Sequence, residues 1–207
     1  MLVIIDYDMG NVRSVSKAFE LLNAEVVISH RPTDILQASR IVLPGVGAFA
    51  DGMKHLKERN LIEPLEQAVI KDQKPFLGIC LGMQLLAQGS EEFGKHQGLG
   101  WIDAQVKPLK IADNDLKVPH VGWNEIKYNE SCSLFNGLKT RSEFYFVHSY
   151  HMICQSPKDI VATTDYGIQI TAAILQDNIF ATQFHPEKSQ TSGLRLLTNF
   201  VNWNGHG

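Results

Sequence analysis

The stretch FLGICLGMQLL, residues 76–86, decides how the rest of the chain is read. An apolar run, KPFLGIC (74–80), stops at a cysteine between two glycines, and a helical period restarts over Leu81 to Ala87. Gly78-Ile79-Cys80-Leu81-Gly82 has the shape of a nucleophile elbow: strand, tight turn, helix. Such an elbow holds its central residue in a strained backbone conformation, and small neighbours let the flanking chains approach. Cys80 is then expected at a helix N-terminus, where the dipole and free N–H groups favour a thiolate. The N–H of Leu81 is expected beside the sulfur as one donor to an oxyanion. The same letters also fit a buried structural cysteine in a strand.

Working outward, LVIID (2–6), EVVIS (25–29) and RIVLPG (40–45) read as strands. Asn11 can cap a helix from Val12 to about Asn23, with Val15, Ala18, Phe19 and Leu22 at helical spacing. A helical region over residues 48–70 is expected to break near Asn60 and Pro64. This β-α-β-α-β order predicts an α/β fold: a flavodoxin-like, mixed, largely parallel sheet flanked by helices. Ligands of such sheets sit at the carboxyl ends of the strands, an edge marked here by Asp6–Asn11, Pro44–Gly47 and Cys80. The second half predicts additional antiparallel strands in WIDAQV, VGWNEI, EFYFVHSYHMI, DIVATT, AAILQ and NIFATQF. A closing amphipathic helix covers residues 192–203, and the final NGHG is expected to fray.

Bulk properties bound the function. The 207 residues suffice for one sizeable core, and residues 1–207 are read as one domain. A net charge of −3 with 20% charged residues gives no electrostatic footprint for nucleic acid or an anionic membrane. The opening MLVIIDYDMG lacks the basic region of a signal peptide, and no apolar run is long enough to span a bilayer. Cys80, Cys132 and Cys154 suggest no disulfide framework, and a cytoplasmic location is the simplest expectation.

A cysteine nucleophile needs a base. His185 in QFHPEKS follows the apolar run IFATQF, so it is expected at that strand's C-terminal end, with Pro186 ending the strand. Glu187 is placed to orient the imidazole, which would complete a Cys-His-Glu triad. A lone His-Pro-Glu also fits an exposed turn. His120 and His148 lie in apolar strand contexts and read as structural. Cys132 and Cys154 lack a local base or glycine turn and read as inert.

GICLGMQ (78–84) together with QFHPE (183–187) resembles the triad-type, class I glutamine amidotransferases. IDYDMGNVRSV at the start, LPGVGAF (43–49), PHVGWNEI (119–126), FYFVHSY (144–150) and HPEKS (185–189) narrow the likeness. They resemble the glutaminase subunits of imidazole glycerol phosphate synthases, from residue 1 to about 203. The resemblance implies hydrolysis of glutamine to glutamate and ammonia through a glutamyl thioester. Cys80 would be the nucleophile, His185 the general base and then acid, and Glu187 its orienting partner. Gly45-Val46-Gly47 would supply a second oxyanion donor beside Leu81, after a backbone rearrangement. Gln84 and Glu92 match positions that hold the amino-acid end of glutamine. They also fit a solvated helix residue and one charge of a loop pair.

The resemblance further implies a heterodimer with a (β/α)₈-barrel cyclase. That partner would take the ammonia to a phosphoribulosyl formimino-AICAR nucleotide, giving imidazole glycerol phosphate and AICAR in histidine biosynthesis. Asn11, Tyr145 and Lys188 match partner-facing positions. Plainer roles stay open for them, as a helix cap, a core aromatic and a solvated charge. The family usually has glycine at Asp8. No metal cluster or cofactor is implied. A related synthase acting on a different acceptor, such as sugar amidination for surface polysaccharide, is the alternative. A peptide hydrolase and a non-catalytic subunit with a relic triad fit the sequence less well.

Overall fold

A computed structural model gives the structure of the protein, described for residues 1–112 and 116–205. The first half alternates strands β1 (Leu2–Ile5), β2 (Val26–Ser29), β3 (Arg40–Gly45) and β4 (Phe76–Cys80) with helices. The helices are α1 (Val12–Glu20), α2 (Pro32–Gln37), α3 (Phe49–Glu58), α4 (Ile62–Glu66) and α5 (Leu81–Gln84). The second half adds short strands β5 (Gly89–Ser90), β6 (His96–Gln97) and β7 (Ala104–Pro108), then β8 (His120–Tyr128) and β9 (Glu143–His148). It continues with β10 (Tyr150–Cys154), β11 (Ile160–Asp165), β12 (Gln169–Gln176), β13 (Ile179–Thr182) and the closing helix α6 (Gln190–Asn202).

Among the described residues the strands form a nine-stranded sheet, ordered β2-β1-β3-β4-β13-β12-β11-β8-β9, and a four-stranded one, ordered β10-β7-β5-β6. The first five strands of the large sheet run parallel and the remaining pairs are antiparallel. This is the expected α/β fold. Strands β1 and β4 are buried at every residue, as parallel strands covered on both faces must be. Along β1, Val3 and Ile5 enter one apolar cluster, and Leu2 and Ile4 enter another. That alternation sets one core on each side of the sheet. Strand order reverses between β1 and β3, so the loops after β1, β3 and β4 meet at one edge.

Several local expectations are corrected. Helix α1 ends at Glu20, and Asn23 adopts a left-handed φ of 56°. In the region of residues 48–70 the break falls at Asn60, with φ 55°. Pro64 lies in the first turn of α4, where its missing N–H is harmless, and a π turn over Gln67–Lys71 follows. Helix α2 escaped prediction because Ile35 alone among its residues is buried. EFYFVHSYHMI splits at Ser149, with β9 in the large sheet and β10 in the small one. Strand β13 is antiparallel to β12 but parallel to β4. At the C-terminus Gly205 is buried rather than frayed, while residues 206 and 207 of the NGHG segment lie outside the described residues.

The helix after Cys80 is one turn long and does not reach Ala87. The carbonyls of Leu85, Leu86 and Ala87 accept instead from Leu99 (2.8 Å), Ile102 (3.0 Å) and Gly100 (3.0 Å). These bonds seat the 99–102 segment and stop the helix from propagating. So short a helix brings little macrodipole to the sulfur.

Helix α5 packs on β3 at backbone distance. A Cβ at Gly82 would collide with the carbonyl of Leu43. Gly82→Ala is therefore expected to lower stability by about 2–3 kcal/mol, read from urea unfolding. Gly52→Ala would press only on the methyl groups of Leu81 and Leu85, at 3.2 Å, and is expected to cost less.

Candidate active site

The elbow forms as a sharp reversal. Cys80 has φ 53° and ψ −107°, a conformation a non-glycine residue adopts only under surrounding constraint. Gly78 makes the crossing possible, because a Cβ there would lie 3.0 Å from the Gly82 carbonyl and 3.1 Å from the Ala181 Cβ. Gly45 stands opposite Cys80 in the β3–β4 register. The sulfur lies 3.7 Å from the Gln183 amide nitrogen and 3.9 Å from the Val147 carbonyl. Gln84 is buried rather than solvated. Its amide nitrogen donates to the Tyr150 carbonyl and the Gln183 side-chain oxygen, both at 3.0 Å. It thereby fixes the amide that touches the sulfur.

His185 does not end its strand, because β13 stops at Thr182. A separate clamp holds it. Its N–H donates to the Tyr145 carbonyl at 2.9 Å. The Ser189 hydroxyl donates to the His185 carbonyl at 2.6 Å and accepts from the Tyr145 N–H at 3.0 Å. Pro186 opens a 3-10 turn, Pro186–Lys188, which folds Glu187 back to 2.8 Å from His185 Nδ1. Both side chains are 3% exposed. With Nδ1 on the carboxylate, Nε2 is the nitrogen left for Cys80, and among the described residues it has no hydrogen-bond partner. Burial works against a charge on His185, but the negative charge of the Cys80 thiolate and the bond to Glu187 outweigh it. The imidazole is pushed up to about 10.

The Gly45-Val46-Gly47 loop lies beside the elbow, with Val46 41% exposed and Gly47 at φ 104°. The Val46 N–H donates to the Met9 carbonyl at 2.5 Å. Just beyond the loop, Glu92 accepts from the Phe49 N–H at 2.6 Å, so its carboxylate anchors the start of α3. Leu81 opens α5 and is buried. The Tyr7 hydroxyl fills the space where Gly45 lacks a side chain. That phenol is buried, has no hydrogen-bond partner among the described residues, and is held protonated by burial and by Cys80.

Around the rim, the Lys188 ammonium lies 5.7 Å from the Tyr145 ring centroid, and Tyr145 meets Trp123 edge-on. Asn11 caps α1, its side-chain oxygen accepting from the Ser14 N–H at 3.1 Å. His120 and His148 are 3.0 Å apart and buried. Desolvation pulls them down to about 4 and about 3. Burial pushes both remaining thiols up, Cys154 to about 11. Sequence reasoning missed Tyr7, Gln183 and Ser189. The last two stand inside QFHPEKS, and their signal was proximity to His185. The Met9 carbonyl is a backbone group that no side-chain pattern announces.

The model of the class-I glutamine amidotransferase family matches residues 3–203. The chain belongs to the class-I glutamine amidotransferases. It is 50% identical over 206 residues to imidazole glycerol phosphate synthase subunit HisH 2 of Nitrobacter winogradskyi, covering 97% of both chains. Subunit HisH of Sulfurimonas denitrificans is 45% identical over 205 residues, 98% of each. The solved structure of PurLQS from Thermotoga maritima superposes with a TM-score of 0.72 over 97% of both chains, at 16% identity, a likeness of fold alone.

The geometry suits amide chemistry in a class-I glutamine amidotransferase. An elbow cysteine beside a buried imidazolium pairs a nucleophile with a proton donor for an amine leaving group. The protonation of His185 depends on its neighbours in a definite direction. Its folded-state value lies above the ordinary 6.5, so stability linked to this proton is present below about 6.5 and lost as pH rises through about 10. In Cys80→Ala one anionic neighbour is gone and Glu187 remains. Histidine NMR titration is expected to give a lower midpoint for His185 in Cys80→Ala than in the wild type. Equal midpoints would mean that the thiolate and imidazolium do not interact.

Proposed function

We propose that this chain is the glutaminase subunit of an imidazole glycerol phosphate synthase in histidine biosynthesis, acting as one domain in the cytoplasm. The observation that carries the reading is the elbow cysteine next to a buried His185–Glu187 pair, in a chain whose relatives at 45–50% identity over nearly its whole length are named imidazole glycerol phosphate synthase subunit HisH. The Cys80 thiolate attacks the side-chain carbonyl carbon of glutamine. The oxyanion is met by the Leu81 N–H and by a second N–H from Gly45-Val46-Gly47. The His185 imidazolium gives its proton to the amide nitrogen, the C–N bond breaks and ammonia leaves. Water then attacks the thioester with His185 as base, and glutamate is released as the thiolate re-forms. Glu187 keeps Nδ1 protonated and the ring in place.

The loop gives a reason for control by a partner. With the Val46 N–H on the Met9 carbonyl, that donor does not serve the oxyanion, so the chain alone is a slow glutaminase. A (β/α)₈-barrel cyclase docked over Asn11, Tyr145 and Lys188 would turn the loop and receive the ammonia away from bulk water. Glu92 and Gln84 would hold the amino-acid end of glutamine. No helix among the described residues is long and apolar enough to cross a membrane.

Ammonia release from glutamine tests the reading, with the chain alone, with the cyclase subunit, and with that subunit plus its nucleotide. Slow release alone and strong activation by the liganded partner are expected, with Cys80→Ala inactive throughout. Activation only by another synthase would move the acceptor elsewhere. Activity retained in Cys80→Ala would remove the nucleophile.

A further inference from the structure

We infer that Asp8 and Arg59 form a latch that holds the Gly45-Val46-Gly47 loop in its resting orientation and so sets how quiet the glutaminase is without a partner. The inference rests on the proposed role of the Val46 N–H. It starts from an anomaly of backbone and charge. Asp8 has φ 65°, in the left-handed region where glycine is favoured and Asp or Asn is tolerated. A glycine there would satisfy the turn equally well. Aspartate adds a carboxylate, and that carboxylate pairs with the Arg59 guanidinium at the C-terminal end of α3. His55, one turn earlier on α3, lies 3.9 Å from the same carboxylate, and its Nδ1 is 2.9 Å from the Tyr7 carbonyl.

Residues 7 and 8 are thus fastened to α3, and the next residue, Met9, supplies the carbonyl that takes the Val46 N–H. The other end of the loop runs straight into α3, whose first N–H is held by Glu92. The loop is therefore held between Met9 and the start of α3, and both supports are fixed relative to that helix. Turning the Val46 N–H toward Cys80 breaks the bond to Met9. The Asp8–Arg59 pair opposes that step by preventing residues 7–9 from following or releasing the loop. Asp8 and Arg59 are positioning residues, since neither touches the reacting atoms.

The magnitude is small and measurable. The Asp8 and Arg59 side chains are 55% and 31% exposed, so the pair is screened and its loss is worth about a two- to fivefold change in a population. Asp8→Asn removes the charge while keeping a residue that tolerates the left-handed turn. Arg59→Met removes the other partner. In the full chain without partner, each is expected to raise glutamine hydrolysis about two- to fivefold, and the double variant no further. The rate with the liganded cyclase is expected to stay at the wild-type value. Amide hydrogen exchange at Val46, read without any partner, is expected to speed up by the same factor. Lys54→Met breaks a separate ion pair on α3, Lys54–Glu58, and is expected to leave both readouts unchanged. Unchanged Val46 exchange in Asp8→Asn would overturn the latch, as would an equal rise in the free and partnered rates. Faster exchange with no rise in free activity would leave the latch standing and remove the proposed role of the Val46 N–H.

Discussion

The candidate site depends on a close approach of backbones around Cys80. Strand β4 runs between β3 and β13, and its last residue turns at φ 53° directly opposite Gly45. Three glycines make room for these close neighbours. Gly82 faces the Leu43 carbonyl, Gly78 faces Gly82 and Ala181, and Gly45 faces the Tyr7 hydroxyl. A conformation like that of Cys80 costs about 1–3 kcal/mol. It persists because every residue of β4 is buried and the following turn is pinned by the 99–102 segment. The sulfur is thereby presented at the sheet edge by a turn with almost no freedom to relax.

Charge in so dry a place needs partners at short range. His185 and Glu187 are almost fully buried, and a sheet strand alone would not bring them together, because residues two apart on a strand share a face but stand about 6.5 Å apart along it. The 3-10 turn opened by Pro186 brings Glu187 back onto the imidazole. Ser189 then closes the turn onto β9. His120 and His148 make the contrast. They are buried with no carboxylate partner among the described residues, and desolvation leaves them neutral, one bonded to the other. Burial alone silences a histidine, whereas burial with paired anions charges it.

These differences explain what could be read from the letters. The parallel half of the fold was legible because LVII, RIVLPG and FLGIC are short apolar runs bounded by turn residues. The elbow was legible because only glycine tolerates contacts as close as those at 78 and 82. Helix lengths were less so. Helix α5 ends where it does because Leu99, Gly100 and Ile102 take the carbonyls of the three residues that follow it, Leu85, Ala87 and Leu86, a tertiary fact with no local signature. The split of EFYFVHSYHMI between two sheets and the parallel pairing of β13 are equally non-local. At the site, side-chain chemistry could be placed from motifs, but the Met9 carbonyl on Val46 and the buried Tyr7 hydroxyl against Gly45 could not. Both are products of packing.

In the proposed role of the loop after β3, a modest interaction governs a demanding reaction. A backbone hydrogen bond such as Val46 to Met9 contributes about 1 kcal/mol net, and an exposed ion pair at most about as much. Together they bias the loop without locking it. Moving a two-state equilibrium from 1:99 to 99:1 takes about 5.5 kcal/mol of differential binding, which an ordinary protein interface is able to provide from a few well-buried contacts. A resting loop held by much stronger bonds would put its turn beyond the reach of a partner. One held by none would release ammonia with no acceptor at hand. The weak contacts at Met9 and Asp8 therefore suit the proposed gate, one that stays shut alone and opens on docking.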